Sequence, residues 1–431
     1  MNHVAGLRPR QQSGSATRIL RGCLLLAAVS VPLRARAEED VTLPLVIRGD
    51  LVHTMTGPPV RDGVVVIIDG KIAAVGPAAE TPVPPAARML RGVVVTPGLV
   101  DAHTVVGLTG FLNQDQDQDQ LDRGEPVQPE LRAIDSYNPR ERLIEWVRGF
   151  GVTTIHTGHA PGALVSGQTM VVKTVGDTVE EAVVKPFAMV AATLGEDARP
   201  GTDAGSGKSP GTRSKAVAML RSELVKTRDY VRKQQHAEPD KRPDRDLRRE
   251  VFAEVLAGRV PLLVTVNRAT DIISALRVAE EFGIRLVLDS AAEAYLVADR
   301  IKAADVPVIV HPTMRRAGMG ETENLSFETA ATLRKAGIRV ALQSGYEGYV
   351  PKTRVALFEA AVAAANGLDT EAALATVTFD AARILGVDDR VGALRAGLDG
   401  DVAIFDGDPF EYTTHCTTVV INGRVVTAEP R

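Results

Sequence analysis

The sequence predicts an α/β protein in which a barrel of alternating strands and helices is joined to a small β-domain. Short apolar strands alternate with helices through the middle of the chain, in units of 20–30 residues. Repeated units of this kind form parallel sheets, and their number favours a closed (β/α) barrel over an open, doubly wound sheet, which remains the alternative. β-rich runs also occur at both chain ends. The 431 residues, 45% of them hydrophobic, suffice for a sizeable core.

Strand signals at the two chain ends predict a β-domain assembled from both termini. Asp69-Gly70 and Asn422-Gly423 are typical of two-residue hairpin turns between flanking strands. The predicted terminal strands are 45–47, 64–68, 72–75, 92–95, 401–405 and 418–426.

The middle of the chain supplies the barrel elements. Ile272, Leu276 and Ala279 share one face of a predicted helix. The 195–214 segment, rich in Gly, Ser and Pro, is interpreted as a mobile loop, and 228–249 as a solvated helix and loop. The predicted strands are 151–155, 187–191, 261–266, 285–288, 306–310 and 338–342, with further helices at 291–304 and 327–336.

Residues 1–37 are typical of a secretory signal peptide. A basic start precedes the apolar run 23–33, and Ala35-Arg-Ala37 provides a small-residue cleavage site. We therefore expect an exported protein, periplasmic or extracellular after cleavage near Ala37. The segment holds six arginines and no acid, so the remaining chain has 44 basic and 54 acidic residues, a net charge of −10. This charge argues against a nucleic-acid partner, and no run is long and apolar enough to predict a transmembrane segment.

Several ordered motifs resemble the amidohydrolase superfamily, in particular its imidazolonepropionase-like, secreted branch. They begin with Pro97-Gly-Leu-Val-Asp-Ala-His103 and close with Gly397-Leu-Asp-Gly-Asp401 and Asp406-Gly-Asp-Pro409. The resemblance implies a hydrolase of carbon–nitrogen bonds on a metal-dependent (β/α)8 barrel with a composite β-sandwich. It gives four segments: signal peptide 1–37, sandwich 38–96, barrel 97–386 and sandwich 387–431.

The family's metal positions are largely replaced in this chain. The resemblance implies ligands at strand ends, usually a His-x-His pair, further histidines and an aspartate, with a bridging lysine. His103 matches the first ligand, and Lys173 is a candidate for the bridge. Alkyl, hydroxyl, amide and glycine residues are poor or impossible Zn²⁺ ligands, so a degenerate centre is expected. The replaced positions carry Val105, Thr265, Asn267, Ser290 and Gly345.

A rewired site is the alternative. His156, His159 and His311 follow or end predicted strands on the same face as His103, and together they would suit a single Zn²⁺ or Fe²⁺. Asp101, Asp289 and Glu293 are candidate carboxylates beside them. A metal-free hydrolase would need Ser290 or Ser344 to act as a nucleophile near His311.

Two functions therefore remain open from sequence. The first is a pseudoenzyme without the standard binuclear activity and without a cofactor, which binds a small molecule or a protein partner. The second is an active amidohydrolase with one divalent metal at His103, His156 or His159, and His311. A homo-oligomer is compatible with either. A carbohydrate-binding module is disfavoured because one Trp and six Tyr offer few stacking surfaces.

Overall fold

The computed structural model describes residues 43–112, 114–198, 210–236, 238–315, 317–346, 355–428 and 430. The predicted signal peptide, 1–37, lies outside these residues. Within the described ranges, no helix combines the length and the apolar character needed to cross a membrane.

Both chain ends contribute to one seven-stranded sheet. Its strand order is β17-β16-β15-β4-β1-β2-β3, with β1 and β4 parallel and the other pairs antiparallel. The predicted terminal strands are therefore confirmed, while the two-layer sandwich and the domain boundaries stay predictions. The strands are β1 (Leu45–Val52), β2 (Val60–Ile68), β3 (Lys71–Pro77), β4 (Arg88–Pro97), β15 (Val402–Phe405), β16 (Cys416–Ile421) and β17 (Arg424–Thr427).

The two predicted hairpin turns are confirmed. Ile68 pairs with Lys71 across Asp69-Gly70, and Ile421 pairs with Arg424 across Asn422-Gly423. All four turn residues have φ between 49° and 76°. Asparagine, aspartate and glycine tolerate this left-handed backbone, which matches the twist of the flanking strands.

The middle of the chain forms two further sheets. Their orders are β5-β6-β8-β9 and β14-β13-β12-β11-β10-β7, and β10 to β14 run parallel. Every residue of these parallel strands is buried, as expected for a sheet with both faces covered. The strands are β5 (Leu99–Thr104), β6 (Val152–Thr157), β7 (Val165–Gln168), β8 (Met170–Lys173), β9 (Val183–Lys185), β10 (Val190–Thr193), β11 (Leu262–Val266), β12 (Leu286–Ser290), β13 (Val308–Val310) and β14 (Val340–Leu342).

The described strands do not form the closed barrel of eight parallel strands that the sequence predicts. The segment carrying β7 and β8 runs antiparallel to both neighbours, pairing with β10 through β7 and with β6 through β8. On the other side, one isolated bridge, Thr104 to Gly345, connects β5 to the chain beyond β14. The antiparallel segment interrupts the repeating βα pattern, and no predicted strand covered it. The architecture is barrel-like, with an irregular wall.

Helices cover the outside of these sheets. The amphipathic helix predicted through Ile272 is confirmed as α5. The helix predicted from residue 291 begins later, because Ser290 and Ala291 have φ of 66° and 51° and form a turn incompatible with a helix. The helices are α1 (Arg142–Gly149), α2 (Val179–Ala182), α3 (Arg213–Gln234), α4 (Leu247–Leu256), α5 (Ala269–Phe282), α6 (Ala298–Ala303), α7 (Thr329–Lys335), α8 (Ala356–Ala365), α9 (Thr370–Thr376) and α10 (Phe379–Leu385).

A buried ion cluster joins the barrel-like region to the seven-stranded sheet. Lys173, at the end of β8, is 2% exposed and binds Asp401 and Asp399, with 3.0 Å between Lys173 Nζ and Asp399 Oδ2. Burial opposes ionisation of Asp399, but Lys173 and the partly exposed Lys71 and Arg390 offset it and lower the pKa of that carboxyl. Lys173 thereby compensates two buried negative charges.

We expect Lys173→Met to destabilise the protein by about 3–5 kcal/mol, because it leaves Asp399 and Asp401 without their buried partner. Lys71→Met is the matched control: Lys71 also binds Asp399, at 2.6 Å, but its side chain is 53% exposed. Its loss should cost about 1 kcal/mol or less. Urea unfolding of both variants measures the difference, and equal losses would contradict the assignment.

Candidate active site

The candidate site centres on a hydrogen bond between His103 and Asp289. His103 lies near the end of β5 and Asp289 near the end of β12, and their side chains are 1% and 0% exposed. His103 Nδ1 lies 2.9 Å from Asp289 Oδ1. Two strands that are not neighbours in a sheet are thus connected across the interior.

Asp289 accepts two further hydrogen bonds. Thr265 Oγ1, from the facing position on β11, donates to Asp289 Oδ2 at 2.6 Å, and Gln343 Nε2 donates to Asp289 Oδ1 at 2.8 Å. Complete burial opposes ionisation, but the charge of His103 and the three hydrogen bonds offset it, so the pKa of Asp289 is lowered. Asp289 is an ionised carboxylate, and His103 Nδ1 therefore carries the proton that it donates.

The remaining ring nitrogen of His103 differs from these satisfied atoms. His103 Nε2 is buried and makes no hydrogen bond with a described residue. The rings of His156 and Tyr346 flank His103, with centroids 5.6 Å and 6.0 Å away.

Asp101 and Ser344 form a second buried pair beside the first. Ser344 donates to Asp101 from its Oγ at 2.5 Å and from its backbone N–H at 3.0 Å, and the His103 N–H donates at 3.3 Å. Complete burial raises the pKa of Asp101 to about 6, although these hydrogen bonds act in the opposite direction. The Ser344 hydroxyl is thus bound to a carboxylate rather than to a histidine.

His156 is fully hydrogen-bonded. Its Nδ1 donates to the carbonyl oxygen of Ala102 at 2.7 Å, so its Nε2 accepts from Thr169 Oγ1 at 2.6 Å. Burial, followed by the charge of His103, lowers the pKa of His156 to about 3. The neutral ring has no free lone pair with which to bind a metal.

His159 and His311 occupy separate buried positions. The His159 ring packs on Gly167, where an added Cβ would lie 2.3 Å from His159 Cδ2. His311 Nδ1 donates to the carbonyl oxygen of Pro312 at 3.0 Å. Burial lowers the pKa of each of these histidines to about 4. In the described part of the chain, no group of three or more His, Cys, Asp or Glu side chains is placed to hold a metal ion.

The replaced metal positions contact one another or the backbone. Ser290 Oγ donates to Asn267 Oδ1 at 2.9 Å, and the Gly345 N–H donates to the carbonyl oxygen of His103 at 3.2 Å. Val105 is fully buried, and Thr265 is used by Asp289. The residues present therefore do not fit the family's binuclear metal group.

Lys173 and Glu293 lie in other networks. β8 is antiparallel to β6, with Lys173 opposite Thr154 and Val171 opposite His156, so Lys173 lies toward the start of β6. Glu293 Oε1 binds Arg268 at 3.0 Å and Asn324 at 2.8 Å. The structure thus brings together His103, His156, Asp101 and Asp289, but places the ammonium of Lys173 on Asp399 and Asp401.

Three site residues, Thr169, Gln343 and Tyr346, were missed by sequence reasoning. Thr169 connects β7 to β8, so its position depends on an antiparallel segment that the βα pattern does not reveal. Gln343 and Tyr346 directly flank Ser344-Gly345. Their position beside this predicted site segment is the sequence feature that could have identified them as site residues.

Comparison with known proteins is consistent with this architecture. The profile of the amidohydrolase family (Amidohydro_3) matches residues 141–427. The chain belongs to this family. The superfamily resemblance, including its similarity to carbon–nitrogen hydrolases, is thereby confirmed.

Individual relatives extend the match. An imidazolonepropionase from Stenotrophomonas maltophilia is 26% identical over 399 residues, covering 86% of this chain and 92% of that protein. The crystal structure of an amidohydrolase from Thermotoga maritima has a TM-score of 0.83 and 30% identity, covering 89% of this chain and all of that one. A zinc-bound adenosine deaminase from Xanthomonas campestris, at 16% identity and a TM-score of 0.54, shares the fold alone over 90% of this chain and 93% of its own.

We expect Asp101→Asn to gain stability relative to the wild type as the pH rises. The folded pKa of Asp101, about 6, lies above the unfolded value of roughly 3.9. Asp101 binds its proton more tightly in the folded state than in the unfolded state. The stability that Asp101 contributes to the wild type is therefore fully present below the unfolded pKa and is lost as the pH rises through 6. The difference in unfolding free energy should change by roughly 2 kcal/mol between about pH 4 and 8, measured by urea unfolding.

Asp62→Asn is the control for the sign of that effect. Asp62 is exposed, and its hydrogen bond with Arg48 lowers its pKa. The stability that Asp62 contributes is therefore lost as the pH falls, whereas the contribution of Asp101 is lost as the pH rises. A pH-independent difference for Asp101→Asn would refute the assignment.

Proposed function

We propose that this chain is an exported amidohydrolase-family protein whose binuclear metal centre is degenerate, and that it binds a small molecule or a protein partner without the family's standard hydrolysis. The observation that carries the proposal is that the buried Asp289 carboxylate already accepts three hydrogen bonds, from His103, Thr265 and Gln343. The family's scaffold supports the family resemblance, whereas at the site the Asp289 carboxylate is engaged by hydrogen bonds from neighbouring side chains.

The hydrogen bonds leave little coordination capacity. Asp289 Oδ1 accepts from both His103 and Gln343, and Oδ2 accepts from Thr265. A cation at Asp289 Oδ1 would have to displace one of its two hydrogen bonds in a fully buried environment, where unpaired donors are costly, while Oδ2 retains a single lone pair. His156 has no free lone pair, and the alkyl side chain of Val105 has none to offer.

The backbone adds a second constraint. Ser290 and Gly345 have φ of 66° and 99°. This left-handed region suits glycine but strains most side chains. An aspartate at position 345 would therefore be strained, so the family's ligand set is not recovered by replacing side chains alone.

A second candidate is an active enzyme with one metal at His103. The buried Nε2 of His103 has no hydrogen bond with a described residue, and its Nδ1 donates to a carboxylate. Metal-bound histidines are commonly oriented by this kind of carboxylate. A mononuclear catalytic site needs about three protein ligands. His103 supplies one, so this candidate requires further ligands to approach His103 Nε2.

Metal analysis separates the two candidates. After refolding with Zn²⁺ or Fe²⁺ and desalting, we expect about 0.1 ion per chain or less, because a site with one available ligand holds these ions weakly. Hydrolysis of imidazolonepropionate, tested in the same samples, should not exceed the uncatalysed rate. His103→Ala should change neither result. His415→Ala, which removes a half-exposed histidine paired with Asp406, is the matched control.

One outcome reverses the proposal in favour of the mononuclear enzyme. In that outcome, the wild type and His415→Ala each hold about one ion per chain, and His103→Ala loses that ion.

Export is tested separately. The basic start, the apolar run and Ala35-Arg-Ala37 support cleavage after Ala37. Expression of the full chain in a Gram-negative host should give periplasmic protein whose N-terminal sequence begins at Glu38. Ala35→Arg with Ala37→Arg should leave the precursor uncleaved, because the processing enzyme requires small residues. Uncleaved wild-type protein in the cytoplasmic fraction would contradict export.

A further inference from the structure

A cleft lies at the opposite end of the parallel strands from His103 and Asp289. Its volume is about 680 Å³, within the range of small-molecule sites. It is lined by the residues that precede or begin β11 to β14, including Pro261, Arg285, Pro307 and Arg339. The candidate active site is formed at the other ends of these strands, so the two sites are distinct.

The cleft is strongly basic for this chain. Five arginines line it, against two carboxylates, Glu280 and Asp305. The chain as a whole has a net charge of −4, so this cluster is a local reversal of sign. A concave surface of one sign focuses the field and attracts counter-ions. The five arginines are Arg277, Arg285, Arg300, Arg339 and Arg383.

Most of these arginines have no carboxylate partner in the described chain. Arg339 pairs with Asp305 at 3.3 Å. Arg277 donates to Ser274 Oγ at 2.9 Å, and Arg383 lies 5.4 Å from the centre of the Phe379 ring. No ion pair with a described carboxylate forms at Arg300. Their planar donors are thus available for a carboxylate or phosphate.

A lysine reinforces the positive charge. Lys185, at the end of β9, donates to the carbonyl oxygen of Leu385 at 2.9 Å, next to the cleft residue Ile384. Burial, and then the charge of Arg285, lowers the pKa of Lys185, while the charge of Asp389 acts in the opposite direction. The repulsion between these two cations would be relieved by a bound anion.

The floor of the cleft is apolar. Ile284, Leu286, Val306 and Ile384 line it and are 5–8% exposed. A bare inorganic ion would leave this surface unused, whereas a ligand with an apolar body would cover it.

We propose that this cleft binds an organic anion, with a phosphate or carboxylate head against the arginines and an apolar or aromatic body on the floor. Binding in this cleft does not depend on a metal at His103. If the chain is a binding protein, organic anions are the class of ligand that this cleft would bind. The proposal goes beyond the proposed function: hydrolytic competence at the other end of the strands leaves it unchanged.

Calorimetric titration of the full chain tests it with four probes. They are 1-naphthyl phosphate, 1-naphthoate, inorganic phosphate as the head alone and 1-naphthol as the body alone. We expect at least one naphthyl anion to bind at least roughly tenfold more tightly than both the head and the body, and its affinity to fall with added salt. The preferred anion identifies phosphate or carboxylate as the natural head.

Variants locate the binding. Arg277→Ala with Arg300→Ala should weaken the preferred naphthyl anion by at least roughly tenfold. The charge-matched control is Arg132→Ala with Arg245→Ala, which removes two exposed arginines paired with Asp135 and Glu250 elsewhere. It should leave the affinity unchanged. Circular dichroism checks that both variants fold, and Arg285→Ala provides a second, single-site test.

Three outcomes overturn the proposal: no binding of either naphthyl anion, naphthol binding as tightly as the anions, or equal weakening in the two double variants. Metal content and hydrolysis do not enter these measurements, so failure here is distinguishable from failure of the proposed function.

Discussion

The buried carboxylate of Asp289 is the constraint around which the candidate site is organised. An ionised group with no exposure is stable only if its oxygens are hydrogen-bonded and a positive or polar partner lies beside it. His103, Thr265 and Gln343 meet this requirement from the ends of three other strand segments. The same contacts engage His103 Nδ1 and leave its Nε2 without a hydrogen bond to a described residue. The ends of β5, β11, β12 and β14 are thereby held in one polar network.

Under the proposed function, this network explains how the chain keeps the family's architecture without the family's metal arrangement. In a metal centre, the ion satisfies buried imidazoles and carboxylates. Here hydrogen bonds among Asp289, Thr265 and Gln343, and between Asp101 and Ser344, satisfy them instead. The polar groups stay buried and the strand ends stay together, which is what the scaffold requires. The fold and the family membership therefore follow from the chain as a whole, and the function has to be argued from the site.

The sequence predicted those parts of the fold that depend on local patterns. Asp69-Gly70 and Asn422-Gly423 determine their turns through backbone preference, and the period-3.6 face of α5 is visible in the order of its apolar residues. The antiparallel segment at Thr169 was missed because strand direction depends on long-range pairing. The late start of α6 was missed because the left-handed turn at Ser290-Ala291 has no glycine to announce it.

The candidate site was predictable in its strand ends but not in its hydrogen bonds. The sequence places His156 at the end of a strand, yet the Thr169 hydroxyl that hydrogen-bonds its second nitrogen comes from the residue that connects β7 to β8. Likewise, Lys173 is a plausible bridging residue by position in the sequence. The direction of β8 decides which end of the sheet its ammonium occupies. Such facts depend on three-dimensional register, which single-sequence patterns do not encode.

The seven-stranded sheet has a consequence for the order in which the protein assembles. β4 pairs with β15, so that Val94 faces Phe405, and strands beyond residue 400 complete a sheet begun near residue 45. Until then one edge of β4 has no partner, and unpaired strand edges invite association with other chains. Contacts this distant in sequence also slow folding. Shortening the chain at its C-terminus would therefore expose an edge near its beginning, and damage at one terminus would be felt at the other.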